Sequence, residues 1–100
     1  MKEKIPAYVI GHIKVKDAGK WAQYRRQVPG TLAPWGADLL CRGKRLNILS
    51  GEHHYPDMVV IRFPDSDSVS NWFNSKAYQA LIPLRDQAAE IVLVSYESAG

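Results

Sequence analysis

"AYVIGHIKV", residues 7–15, decides the fold, because its side chains alternate with a period of two. Such alternation is typical of a β-strand with two different faces. The two sets are Ala7, Val9, Gly11, Ile13 and Val15 on one side, and Tyr8, Ile10, His12 and Lys14 on the other. The sequence therefore predicts a first strand with one small apolar face and one mixed face.

The segment after this strand predicts a helix. Asp17 can cap its N-terminus, and Pro29 should kink or interrupt it because proline has no backbone N–H to donate. Gly36 is placed to end it. The apolar side chains recur every three or four residues and form one inward stripe, which comprises Trp21, Tyr24, Val28, Leu32 and Trp35.

Two more strands are predicted in the middle of the chain. β-forming runs at residues 38–42 and 46–50 are joined through Gly43. This pattern predicts either one long strand with a bulge or a strand that bends sharply, and we favour the bend. A polar link then leads to the short apolar run MVVIRF, residues 58–63, which predicts the next strand.

The last third of the chain predicts more helix and a final strand. Asp65 can cap a second helix, and a further helical segment begins at Lys76. Pro83 either ends that segment or opens one more turn, and residues 91–96 form the fourth strand. The inward face of the second helix comprises Val69, Trp72 and Phe73.

The order β-α-β-β-α-β predicts an α+β fold, with a ferredoxin-like protomer whose two helical regions lie on one face of an antiparallel sheet. Residues 58–63 and 91–96 are apolar at nearly every position, so the other face of the sheet also needs cover. Monomers seldom expose a contiguous apolar patch above about 600 Å². We therefore predict a homodimer in which two sheets pack face to face.

Size and composition indicate one domain over residues 1–100. The 13 basic and 10 acidic residues are spread along the chain, which argues against a nucleic-acid partner. The RNA-recognition fold shares this element order, but its third strand carries stacking aromatic residues that MVVIRF lacks. No apolar run approaches the ~18 residues of a membrane span. Cys41 stands alone, so we expect no internal disulfide and a cytoplasmic location.

Three segments, YVIGHI, RFPD and WFNSKAYQALIPLR, resemble the domain of unknown function 1330 family, in the dimeric α+β barrel superfamily. The resemblance extends over nearly the whole chain. It implies a ferredoxin-like protomer and a dimer whose two sheets form a barrel, and it implies no particular reaction. Other members of the superfamily include cofactor-independent monooxygenases, muconolactone isomerases and haem enzymes, many of which hold ligands between helices and sheet. Fold alone does not fix function.

Two residues are candidate proton carriers. His12 can act as a general base near neutral pH, or it can simply be hydrogen-bonded at the edge of the dimer interface. Tyr78 can lie beside Arg85 at the mouth of a pocket between helix and sheet, because Pro83 turns the chain between them. Alternatively, Tyr78 packs its ring on the core and keeps its hydroxyl in water.

Other residues are candidate ligand contacts. Arg42, Arg62 and Arg85 can converge on one cleft, where planar guanidinium groups suit a carboxylate or phosphate. Each arginine taken singly is better explained as an exposed or ion-paired residue. Tyr24 and Trp72 can contact a planar ligand with their polar edges, or can belong to the core.

We expect no metal site and no cofactor, since the adjacent His53 and His54 have no second ligand cluster at metal spacing. The favoured interpretation is a protein that binds a small anionic or aromatic molecule between helices and sheet. One alternative is a cofactor-independent oxygenase or isomerase that uses His12 or Tyr78 for proton transfer. Another is a structural or interaction protein with no ligand.

Overall fold

The protein folds around a single four-stranded sheet. The structure is a computed structural model that describes residues 4–99. Its elements are β1 (Ala7–Val15), α1 (Ala18–Leu32), a 3₁₀ turn (Ala33–Trp35), β2 (Asp38–Lys44), β3 (Asp57–Phe63), α2 (Ser66–Phe73), α3 (Lys76–Gln79), α4 (Ile82–Ala88) and β4 (Ala89–Glu97). The strands pair antiparallel in the order β2-β3-β1-β4. The predicted α+β ferredoxin-like fold is confirmed.

The two faces of the sheet have different surroundings. The small face of β1 lies under the helices, and Gly11 sits opposite Val59 on one side and Leu93 on the other. The core between this face and the helices comprises Ala7, Val9, Ile13, Val59, Ile61 and Phe63 from the sheet, and Tyr24, Val28, Leu32, Trp72, Tyr78 and Leu81 from the helices. Half-buried or exposed side chains occupy the opposite face, here called the open face: Tyr8, Ile10, His12, Val60, Arg62, Val92, Val94 and Tyr96.

Both predicted helix caps are confirmed. A side-chain oxygen of Asp17 accepts from the Lys20 backbone N–H at 3.0 Å, and Asp65 does the same for Ser68 at 2.8 Å. The predicted interruption at Pro29 is wrong, because α1 continues through it to Leu32. Pro29 is exposed, so its ring faces solvent instead of the sheet.

The first helical region ends at Gly36, as predicted. Residues 33–35 tighten into a 3₁₀ turn, and Gly36 follows in the left-handed conformation with φ 66°. This conformation suits glycine, which has no Cβ to clash with the backbone.

The predicted bent strand is also wrong. Strand β2 ends at Lys44, and residues 45–56 form neither helix nor strand. Instead, the Arg45 backbone N–H donates to the Pro56 carbonyl at 2.7 Å, which closes the segment into a loop. Of the apolar residues predicted to form this strand, Leu46 and Leu49 are more than 90% exposed and Ile48 is 44% exposed, so nothing within residues 4–99 covers the two leucines.

The irregularity of β2 lies at a different place from the one predicted. The pairing with β3 shifts between Leu39 and Cys41, which leaves Leu40 as an extra residue in the strand. Such a bulge reverses which side chains of the following residues face the core.

Pro83 opens a helix. It lies in the first turn of α4, where its missing N–H needs no intrahelical partner. The short α3 precedes it and is capped by the Ser75 hydroxyl, which accepts from the Tyr78 backbone N–H at 3.2 Å. Within residues 4–99, no helix is long and apolar enough to cross a membrane.

Candidate functional site

A groove opens between α1 and the β2 edge of the sheet. Its volume is about 380 Å³. Trp21 and Arg25 are one turn apart on α1 and form one wall, and Arg42 and Lys44 of β2 form the other. The remaining lining residues are Ile13, Val15, Gly43, Asp57 and Met58. The groove is large enough for a small organic molecule.

A smaller cavity adjoins the groove in the space between α1 and the sheet. Its volume is about 30 Å³, enough for one or two heavy atoms. It shares Trp21, Arg25 and Arg42 with the groove, and Tyr24 and Trp72 add aromatic surface. This smaller cavity is called the inner chamber below. Groove and inner chamber together form one site with a basic mouth and an aromatic interior.

The mouth of this site carries concentrated positive charge. Partial burial lowers the pKa of Arg42, and the nearby Arg25 guanidinium lowers it further. Among residues 4–99, salt bridges form only between Lys4 and Asp65 and between Arg85 and Asp86, so Arg25 and Arg42 have no carboxylate within 4 Å. Two neighbouring cations without an acidic partner favour an anionic ligand.

A buried hydrogen-bond chain lies behind the inner chamber. The hydroxyl oxygens of Tyr24 and Tyr78 are 2.8 Å apart, and Arg85 Nη1 donates to the Tyr78 oxygen at 3.1 Å. Tyr78 is fully buried and Tyr24 nearly so. Burial, and then the neighbouring Tyr78, raise the pKa of Tyr24 well above its ordinary value. Tyr24 therefore stays protonated at all ordinary pH values.

Trp72 is fixed by a second chain of hydrogen bonds. Its indole Nε1–H donates to Thr31 Oγ1 at 3.0 Å, and the Thr31 hydroxyl donates to the Val28 carbonyl at 2.7 Å. The ring also packs on Phe63 and Tyr78. The polar edge of Trp72 is thus satisfied inside the protein, so Trp72 offers the inner chamber only apolar surface.

The sequence candidates do not all come together. Arg42, Tyr24 and Trp72 line the site, whereas Arg85 contacts Tyr78 and Asp86 and does not line it. Tyr78 contacts Arg85 and packs its ring in the core, as expected, but it does not line the site and its hydroxyl is bonded inside the protein instead of lying in water.

His12 and Arg62 lie on the open face, across the sheet from Tyr78. Arg62 is exposed opposite Tyr8 and Asp38. His12 sits opposite Met58, and its ring centroid is 4.9 Å from that of His53. Its Nδ1 atom is buried and has no hydrogen-bond partner within residues 4–99. Within one protomer, His12 and Tyr78 therefore cannot act on the same bound molecule.

Three residues of the site were not singled out by sequence reasoning as ligand contacts, namely Trp21, Arg25 and Lys44. Trp21 and Arg25 have the four-residue spacing that aligns side chains on one helix face. Arg42 and Lys44 have the two-residue spacing that aligns side chains on one strand face. These signals were present, but only the fold shows that the two elements face each other.

Comparison with known proteins places the chain in a family. The sequence profile described as "Domain of unknown function (DUF1330)" matches residues 6–98. The chain belongs to this family. No functionally curated protein shows significant sequence similarity to this DUF1330 chain.

Solved structures share the fold of this DUF1330 protein at low sequence identity. A protein of unknown function from Rhodopseudomonas palustris has a TM-score of 0.81 at 14% identity, covering 99% of this chain and 85% of its own. A dimeric ferredoxin-like protein of unknown function from Thermobifida fusca gives 0.67 at 14%, with coverages of 98% and 95%. SnoaB, a cofactor-independent oxygenase from Streptomyces nogalater, gives 0.67 at 8%, with coverages of 96% and 95%. At these identities the likeness concerns the fold alone.

Proposed function

We propose that this protein binds a small planar organic anion, with its negative group at Arg25 and Arg42 and its body against Trp21. The observation that carries the proposal is that two guanidinium groups, those of Arg25 and Arg42, lie at the mouth of an aromatic-lined site and form no salt bridge within residues 4–99. A carboxylate is the group we favour, because guanidinium binds it through two parallel hydrogen bonds. Lys44 adds a third positive charge on the same side, and Asp57, which lies opposite Lys44 in the pairing of β2 with β3, is the one carboxylate among the residues that line the groove.

The test measures binding of 4-fluorobenzoate by ¹⁹F NMR, which detects weak binding. Arg25→Ala and Arg42→Ala should each weaken binding about fivefold, since a partly exposed ion pair contributes roughly 1 kcal/mol. Arg26→Ala on α1 and Arg62→Ala on the neighbouring strand β3 are the controls, because each removes the same charge away from the site. No binding at millimolar concentration, or equal losses in the controls, would reject the proposal.

We also propose that the protein forms a homodimer through the open face. Val92 and Tyr96 are 40% and 51% exposed, and both belong to a surface on which most side chains are aliphatic or aromatic. The buried, unpartnered Nδ1 of His12 lies on the same face, where a second protomer can supply a hydrogen-bonding group. The description of the Thermobifida fusca protein as dimeric supports this assembly. Light scattering that gives a monomer mass at micromolar concentration would refute it.

A further inference from the structure

The two hydrogen bonds of the Tyr24–Tyr78–Arg85 chain leave one tyrosine hydroxyl hydrogen without a partner. Each tyrosine hydroxyl carries one hydrogen, and arginine can only donate. The bond between the two hydroxyl groups uses one of their two hydrogens, and the bond from Arg85 uses a hydrogen of its own. One tyrosine hydrogen is therefore left without an acceptor within residues 4–99.

The lining of the inner chamber indicates which tyrosine keeps the spare hydrogen. If Tyr24 donated to Tyr78, the spare hydrogen would lie on Tyr78, which is 0% exposed and does not line the inner chamber. A buried donor without an acceptor is costly. If Tyr78 donates to Tyr24, the spare hydrogen belongs to Tyr24, which does line the chamber. Arg85 favours this second arrangement, because its positive charge on the Tyr78 oxygen makes the Tyr78 hydroxyl a better donor.

We infer that Tyr24 presents a hydrogen-bond donor to the inner chamber, and that the ligand places an acceptor oxygen there. This inference rests on the proposed function, since it concerns the far end of the same anion. The chamber holds only one or two heavy atoms, so a carbonyl oxygen fits it and a larger polar group does not. The ligand class is thus a planar carboxylate with a carbonyl group on the opposite side. Arg85 is a positioning residue that acts through Tyr78.

Paired probes test the donor directly. The 3- and 4-acetylbenzoates are each compared with the matching isopropenylbenzoate, in which a methylene group replaces the carbonyl oxygen and the shape is kept. For at least one ring position, the wild-type protein should bind the acetyl compound about tenfold more tightly. The ratio between the two compounds is the readout, because a general loss of stability weakens both equally.

Variants then assign the preference to residues. Tyr24→Phe should bring the ratio near one. Arg85→Met keeps the aliphatic stem and removes the donor to Tyr78, so the ratio should fall by several-fold, whereas Arg26→Ala should preserve it.

The outcomes separate the two proposals. Equal binding of both compounds by the wild-type protein, or an unchanged ratio in Tyr24→Phe, overturns the donor at Tyr24 while the anion site stands. An unchanged ratio in Arg85→Met overturns the positioning role. If no benzoate binds at all, the proposed function is refuted and this inference with it.

Discussion

Tyr78→Phe should destabilise the protein although it removes a single atom. The Tyr78 oxygen bridges Tyr24 at 2.8 Å and Arg85 at 3.1 Å in a fully buried position. Its loss leaves the Tyr24 hydroxyl without its buried partner and costs Arg85 one hydrogen bond, although Arg85 keeps its bonds to Asp86. Removing one member of a buried polar pair costs about 1–3 kcal/mol. We expect about 2 kcal/mol, near the middle of this range.

Thermal and urea unfolding, monitored by circular dichroism at one fixed protein concentration, measure this cost. For a domain of this size, 2 kcal/mol lowers Tm by about 8–16 °C. Tyr96→Phe is the matched control, because it removes the same hydroxyl group from a residue outside the core that makes no side-chain hydrogen bond within the described residues. The reasoning is refuted if Tyr78→Phe and Tyr96→Phe unfold within about 0.5 kcal/mol of each other.

Four further substitutions test other parts of the structure. Gly11→Ala should lower the free energy of unfolding by about 1–3 kcal/mol, because the added Cβ would lie 2.8 Å from Val59 Cγ1. Gly30→Ala in α1 should raise it by about 0.5–1 kcal/mol, because the added Cβ meets nothing within 4 Å. Chemical denaturation of both variants measures these changes. Val94→Lys on the open face should convert the proposed dimer to a monomer in light scattering, and a dimer mass would contradict the interface. Hydrogen bonds from the Ser68 hydroxyl and the Ser68 backbone N–H lower the pKa of Asp65. The ionised Asp65 carboxylate therefore stabilises the folded state at pH values above its unfolded-state pKa of about 3.9, and this stabilisation is lost as the pH falls through its lower folded-state pKa. The difference in Tm between wild type and Asp65→Ala should therefore narrow below about pH 4, and a constant difference down to pH 2 would exclude this carboxylate as the cause.

Local signals in the sequence predicted most of the fold. Alternation over residues 7–15 gave the two faces of β1, and the stripe from Trp21 to Leu32 gave the buried side of α1. Both aspartate caps followed from residue type and position. These predictions succeeded because each depends on neighbours within about four residues, where periodicity and capping chemistry decide the outcome.

The predictions that failed depend on distant partners. Residues 46–50 have the composition of a strand but no strand beside them, so they stay outside the sheet. Three arginines were grouped by residue type, yet Arg62 lies on the open face and Arg85 contacts Tyr78. The convergence of Arg25 with Arg42 depends on how α1 crosses β2, which residue spacing within either element does not specify.

The bulge at Leu40 links the irregular part of the fold to the candidate site. Before the bulge, Leu39 lies opposite Ile61 and faces the helices. In a regular strand Cys41 and Gly43 would follow on that face, and Arg42 would point to the open face. The extra residue instead puts Arg42 opposite Val59, a core residue, and brings its guanidinium to Arg25. One inserted residue thus removes a charge from the apolar face proposed for dimerisation and adds it to the groove proposed for the anion, so a single feature of β2 serves both surfaces.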